Sequence, residues 1–248
     1  VWRSANTPRA RAASICRRSA SLNRSRRNRA APVRLRDVIA SAAEPSRGEL
    51  CLAGSGSFAV EVAEWAWDAG YRIAGLIELL DPSRAGMTIG GHVVLAPDAA
   101  GHGRAAVVAA GGSRQAHWTR IAPYGWHART IVHPRAWVSP SAVLGDGCIV
   151  GPGAVVGAET VAAEHTLISR GVLVGHHVRI GSFVSLLPGA NLASHIVLGD
   201  GTVVGMGAAV VDHTTVGGAA TIAAGAVVLS DVAQGTRVQG VPARRYEP

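Results

Sequence analysis

From Val132 to Val228 an aliphatic residue recurs at every sixth position. The series runs Val132, Val138, Leu144, Val150 and onward to Ile222 and Val228. It comprises 17 positions in unbroken phase, of which Ala162 alone is not Val, Ile or Leu. Two residues before each lies a small or β-branched residue, from Ala136, Ala142 and Cys148 to Ala226. Glycine often follows the aliphatic position, as at Gly145, Gly151, Gly157, Gly175, Gly181, Gly199, Gly205 and Gly217. A six-residue period predicts one short flat strand and one turn, and three such units close a triangular coil. The aliphatic side chain fills the interior, the small partner leaves it room, and glycine is expected to supply turn dihedrals that other residues avoid. The coils stack at about 4.8 Å, as solenoid repeats do. The predicted fold over 129–230 is a left-handed parallel β-helix, an exception to the usual right-handed crossover. Its phase never slips, so no long loop interrupts it. Residues 231–248 break the pattern and are expected to leave the prism as a tail or cap.

Upstream, the pattern changes to a small α/β arrangement over 48–128. Glu49–Ala53 reads as a buried strand, Phe58–Ala69 as a helix stopped by Gly70, Tyr71–Glu78 and Ala105–Ala110 as further strands, and Arg114–Ile121 as a helix. This is a Rossmann-like half-domain, with no room for a second half. Gly54-x-Gly56-x-x-Ala59 lies between strand and helix, where backbone can approach a phosphate and the helix terminus favours its charge. Glu78 ends the second strand, where an acid can hold a ribose hydroxyl. The same glycines also fit a turn needed only for packing, and both readings stand.

Charge separates a third region. All 24 basic residues are Arg, which excludes a P-loop lysine and Schiff-base chemistry. Residues 1–47 carry 12 Arg against Asp37 and Glu44, a net +10, whereas 48–248 carry 12 Arg against 14 acids, a net −2. The tail reads as a nucleic-acid arm, a transit peptide or a disordered stretch without a role. The last is preferred, because no aromatics interleave with the arginines beyond Trp2, and no nucleic-acid partner is expected. The chain opens with Val, and the working protein is expected to begin near Glu49. Cys16, Cys51 and Cys148 form no CxxC pair. The longest run free of charge and His, Thr214–Ser230, has 17 residues broken by three glycines, so no membrane span is predicted and a cytoplasmic location is expected.

Three segments carry a family resemblance: Ala53-Gly-Ser-Gly-Ser-Phe58, Val174-Gly-His-His-Val-Arg-Ile-Gly181 and Gly240-Val-Pro-Ala-Arg244. Residues 48–248 resemble the hexapeptide-repeat acyltransferases of the sialic-acid O-acetyltransferase and bacterial nucleotide-amino-sugar N-acetyltransferase type. The resemblance implies a homotrimer that uses acetyl-CoA, with active sites in grooves between neighbouring prisms. It places the general base at His176. It puts His177 where the family has an acid, and Ser185 where the family has a second histidine near the thioester. Other acetyl-CoA positions fall at Met206 and Ala224. The nucleotide-sugar loop, Ser-Gly-His in the family, reads Ser55-Gly56-Ser57 here, and Glu78 and Gly111 fall at further nucleotide-sugar contacts. Arg237, Arg244 and Arg245 lie where the chain leaves the prism and can meet CoA phosphates.

Coil arithmetic adds a column. Glu159, His177, His195, His213 and Asp231 are each 18 residues apart, hence stacked at one corner, with His176, Ser194 and Asp212 beside them. Glu159 is expected to do the charge work of the missing acid through His177, and the stacked imidazoles to keep His176 neutral. The expected reaction is direct acetyl transfer to a sugar or nucleotide-linked sugar, with a backbone N–H stabilising the oxyanion. Two alternatives remain: a trimeric prism metal enzyme of the carbonic anhydrase type, whose His-x4-His pair is absent here, and a non-catalytic sugar-binding scaffold. No metal ligand is assigned. His133 and His165 are expected to be structural, and Trp65, Trp67, Trp118, Trp126 and Trp137 to pack.

Overall fold

The computed structural model describes residues 47–111 and 114–247. The arginine-rich segment 1–46, and with it Cys16 and Trp2, lies outside the described residues. The α/β part is a six-stranded sheet built from β1 (Glu49–Ala53), β2 (Arg72–Ile77), β3 (Thr88–Ile89), β4 (His92–Leu95), β5 (Ala105–Val108) and β6 (His127–Ala128), in the order β3-β4-β2-β1-β5-β6. Three α-helices lie among the connections in the described residues, α1 (Ser57–Asp68), α2 (Pro97–Ala100) and α3 (Arg114–Ile121), with 3-10 turns at Pro82–Arg84 and Ala122–Tyr124. In α1 the buried residues Ala59, Val62, Ala63 and Ala66 recur at helical spacing, and Gly70 at φ +87° ends it.

From Ile131–Val132 (β7) to Val227–Val228 (β23), 17 two-residue strands follow at six-residue intervals and form three parallel sheets. The first face stacks β7, β10, β13, β16, β19 and β22. The second runs from β8 to β23, and the third from β9 to β21. The second residue of each strand points inward and is buried, and the residue two before it closes the layer. Buried threonines in that slot are satisfied one coil on: Thr160 Oγ1 donates to Gly175 O at 2.8 Å and Thr202 Oγ1 to Gly217 O at 3.1 Å.

The glycines that follow the aliphatic positions do a different job from the one expected. None of them has positive φ. A Cβ at Gly157 would stand 2.5 Å from Gly175 O, and one at Gly205 2.5 Å from Ala224 N, so they clear space for the adjoining coil. The left-handed turn residue comes two positions later. At the corner between first and second faces it is always glycine from Gly153 to Gly225. At the other two corners it includes Glu159, His177, His195 and His213, and His165, Phe183 and Ala219, all at φ between 56° and 59°.

The C-terminal segment does not leave the prism after Val228. Val232 bridges Val216, and β24 (Arg237–Gln239) pairs with β22 before turning back as β25 (Arg244–Arg245). Val232 and Val238 stay in the core, each 16 residues after its partner Val216 or Ile222 instead of 18. The shortened last coil, not the end of the prism, is what breaks the sequence phase.

The α/β part covers one side of the prism. Trp65 packs with Ile131, Ile149 and Leu167 on the first face. His133 Nε2 meets Asp68 Oδ2 at 2.9 Å while its Nδ1 accepts from Arg135 N, which fixes the proton on Nε2. The buried Arg114 donates to Val108 O, Ala110 O and His165 O, and the Trp118 ring lies 4.3 Å from that of His165. Burial pushes the Arg114 guanidinium down to about 10, and burial followed by the charge of Arg114 pushes His165 down to about 4. Trp67 and Trp137 do not pack as expected, being 65% and 56% exposed. Trp67 is on the outer side of α1, and Trp137 is the outward residue of β8 (Trp137–Val138). No described helix is long and apolar enough to cross a membrane.

Candidate functional site

The corner between the second and third faces lies across the prism from the covered first face. The six-residue phase places His176 and His177 in the turn between β14 (Leu173–Val174) and β15 (Arg179–Ile180), both exposed. Gly157 and Gly175 make that turn possible: a Cβ at Gly157 would come 2.8 Å from His176 N, and one at Gly175 2.8 Å from Ser194 Oγ. His176 Nδ1 stands 3.0 Å from His177 Nδ1. His177, His195 and His213 stack with ring centroids 4.9 Å and 4.8 Å apart, a spacing set by the coil rise. His176 lies edge-on to His195 at 5.1 Å. Partial desolvation in the stack, then His177, His213 and His176, push His195 below its usual value, while Asp212 acts the other way.

Glu159 sits one coil below His177 but forms no hydrogen bond or ion pair with it among the described residues. Its backbone N–H donates to Ser141 Oγ at 3.1 Å. The polar partner of His176 is therefore His177 itself, and the expected relay from Glu159 is not formed in this chain. One ligand nitrogen from each of His176, His177 and His195 lies within 4.8 Å of the others, at the corner where counting had put these side chains and where a metal enzyme was kept as an alternative without an assigned ligand.

The other expected site residues fall elsewhere. Met206 and Ala224 are exposed on successive coils of the corner between first and second faces, where Gly225 N donates to Met206 O. Arg244 is exposed on β25, near the same end of the prism. Ser185 is buried in β16 (Ser185–Leu186) between Leu167 and Val203, so its hydroxyl is not presented to solvent.

In the α/β part, Ser55 and Glu78 are buried and bound to each other. Ser55 Oγ donates to Glu78 Oε2, and the N–H groups of Leu80 and Asp81 donate to Oε1 at 2.7 and 3.0 Å. Arg84, which sequence reasoning missed, closes the arrangement: it donates to Ser55 O at 2.9 Å and lies 3.5 Å from Glu78 Oε2. Burial acts to raise the Glu78 carboxyl, but the bonds from Ser55, Asp81 and Leu80 and the charge of Arg84 hold it below its usual value. Glu78 braces the loop after β2 and is not free to take a ribose hydroxyl. Gly54, at φ +127°, is a packing glycine: a Cβ there would meet Ala109 O at 2.8 Å. Gly56, Ser57 and Gly111 are exposed, with open space over both glycines, and they leave the uncapped start of α1 accessible. A hollow lined by Leu79, Pro82, Ala96, Pro97, Asp98 and Arg120 lies beside Glu78.

No protein-family model and no curated protein matches the chain; solved structures do. The acetyltransferase domain of PglB from Neisseria gonorrhoeae is 30% identical over 81% of this chain and all of that domain, with a TM-score of 0.70. The chain belongs to the hexapeptide-repeat sugar acetyltransferases. PerB from Caulobacter crescentus, solved with CoA and GDP-perosamine, is 28% identical over 82% of this chain and 98% of that one, with a TM-score of 0.73. Variants of that perosamine N-acetyltransferase with one histidine replaced by asparagine or alanine are known with the same two ligands. WeeI from Acinetobacter baumannii, at 20% identity and a TM-score of 0.71 over 80% of this chain and all of its own, shares the fold. Against that background the exposed His176 corner of this acetyltransferase is its candidate active centre.

Proposed function

We propose that this chain transfers an acetyl group from acetyl-CoA to an amino or hydroxyl group of a nucleotide-linked sugar, with His176 as general base. One observation carries the base assignment: His176 is exposed and its Nδ1 is held 3.0 Å from His177 Nδ1. When His176 donates its Nδ1–H to His177, the Nε2 lone pair faces solvent and can accept a proton. His177 then does as a neutral acceptor what the family's acid does as an anion, but without charge assistance. The acceptor's nitrogen or oxygen attacks the thioester carbonyl carbon and His176 Nε2 takes its proton. The C–S bond breaks, and the CoA thiolate leaves and collects that proton. No covalent enzyme intermediate is required. Cys148 is buried in the prism with its thiol pushed up to about 12 by burial, and is not a nucleophile for this reaction.

The working unit is a homotrimer. In one chain, His176, the Met206–Ala224 corner and the α/β mouth at Gly56, Ser57 and Gly111 belong to different sides of the prism, so a neighbour must bring them together. The second and third faces, which the α/β part leaves uncovered, present Trp137 at 56%, Leu173 at 44% and Val143 at 40% exposure, as a subunit contact requires. Nucleotide-sugar recognition is favoured by the open mouth at the start of α1 and by the bound GDP-perosamine of PerB. With acetyl-CoA as donor, the reaction belongs in the cytoplasm. The test is a thiol-release assay with nucleotide-linked amino sugars, free amino sugars and sialic-acid-like acceptors. Nucleotide-linked sugars are expected to turn over fastest, and equal rates with the free sugars would overturn the acceptor class. Sedimentation should give three times the chain mass.

A further inference from the structure

We propose that the imidazoles of His176, His177 and His195 form a binding site for a zinc-class divalent ion, and that the bound ion switches acetyl transfer off. The site stands on geometry. His176 Nδ1 and His177 Nδ1 are already 3.0 Å apart. Two nitrogens about 2.0–2.1 Å from one zinc ion stand about 3.3 Å apart at the tetrahedral angle, so a few tenths of an ångström suffice. One ligand nitrogen from each of the three rings, His195 included, lies within 4.8 Å of the other two, which brings a third donor within reach of the same ion. All three residues are exposed, which leaves an entry path and an open fourth position for water.

The backbone argues that these side chains are held at this corner at a cost. His177 and His195 occupy left-handed turn positions at φ 56° and 58°, where the corner between first and second faces uses glycine on five coils in succession. A non-glycine residue there is destabilising by about 1–2 kcal/mol. Coil stacking fixes the separation of His177 and His195, and the sequence-adjacent His176 completes a triangle that no rearrangement of the fold is needed to build. Imidazole donors suit zinc, copper and nickel and not magnesium or calcium.

The inhibitory consequence rests on His176 being the base. Zinc bound through His176 Nδ1 displaces the proton shared with His177. The neutral ring then carries its proton on Nε2, the atom that must receive one from the acceptor. The ion holds the base in the wrong tautomer, beside the thioester, without touching the acceptor mouth on the α/β part.

The test uses untagged, chelator-stripped full chain titrated with zinc sulfate against a chromophoric chelator. Saturation at about one ion per chain is expected. His195→Asn, which Asn tolerates at positive φ, should weaken binding about tenfold or more, and His213→Asn should change it by less than about twofold. Absence of saturable binding, or unchanged affinity in His195→Asn, overturns the site. Acetylated sugar is then followed by chromatography with and without zinc, each variant against its own zinc-free rate. Wild type should slow and recover with EDTA, and His195→Asn should resist. Zinc that binds with the expected dependence on His195 yet leaves transfer unchanged keeps the site and removes His176 as the base.

Discussion

Two corners of the prism use the same backbone slot for opposite ends. At one, His165 and Phe183 stack at 4.8 Å, His165 packs against Trp118, and its carbonyl accepts from the buried Arg114. At the other, His177, His195 and His213 stack at nearly the same spacing with nothing from the α/β part over them. The turn residue has φ near 57° in both. The chemistry differs because of what covers it. Under α3, histidine is an aromatic wedge, pushed down to about 4 and neutral; across the prism, the same residue type remains exposed. A repeat dictates where a side chain stands, and the added domain decides whether that place is core or site.

The largest difference between the two corners is expected from Arg114→Ala. It removes a buried cation and leaves the carbonyls of Val108, Ala110 and His165 without their donor. Unfolding stability should fall by about 3 kcal/mol or more, while His195→Ala at the bare corner should shift it by about 0.5 kcal/mol or less. Urea melts at one protein concentration distinguish the two.

Acid should separate the corners next. His165 has its folded value depressed from 6.5 to about 4. Its contribution is therefore fully present above about pH 6.5, is lost as pH falls, and is gone below about pH 4, about 3 kcal/mol in all. Melting temperature should decline across that window, and His165→Asn should flatten the decline. A smaller gain is expected from His213→Gly, which relieves the left-handed turn at φ 59° and should add up to about 1 kcal/mol. The smallest effect sharpens the site reading. His177→Asp returns an anion beside His176 Nδ1 and should raise kcat by about two- to fivefold with KM unchanged. A merely structural role for His177 predicts no gain.

The prism was legible because its signal is a phase. A residue such as Ile168 or Val204 says little alone, but 17 in register leave one fold. Within that frame, the stacking of His177, His195 and His213 also followed from counting. Physical reasons hid the rest. Gly157 and Gly205 look like turn glycines, yet the turn dihedral belongs two positions later, and only the closeness of the next coil explains them. The final coil is two residues short, so periodicity ended before the structure did. Thr88–Leu95 forms a hairpin around Gly90 and Gly91, at φ 56° and 83°, a paired-glycine turn that was readable but was masked by the short flanking strands. Glu78 directly follows β2, which ends at Ile77, and its partner Arg84 closes a short 3-10 turn, Pro82–Arg84, whose Asp81 cap and Pro82 mark the turn but not the pairing with Glu78.

The proposed role of the exposed His176 imidazole is to accept the acceptor's proton. Its most direct test is the initial rate of CoA release by His176→Ala against wild type, at saturating acetyl-CoA with the best nucleotide-linked sugar, after showing equal melting temperature and equal assembly mass. A rate lower by about 10²- to 10⁴-fold is expected. A variant within about threefold of wild type would contradict it, because no proton transfer that limits the reaction could then pass through that ring.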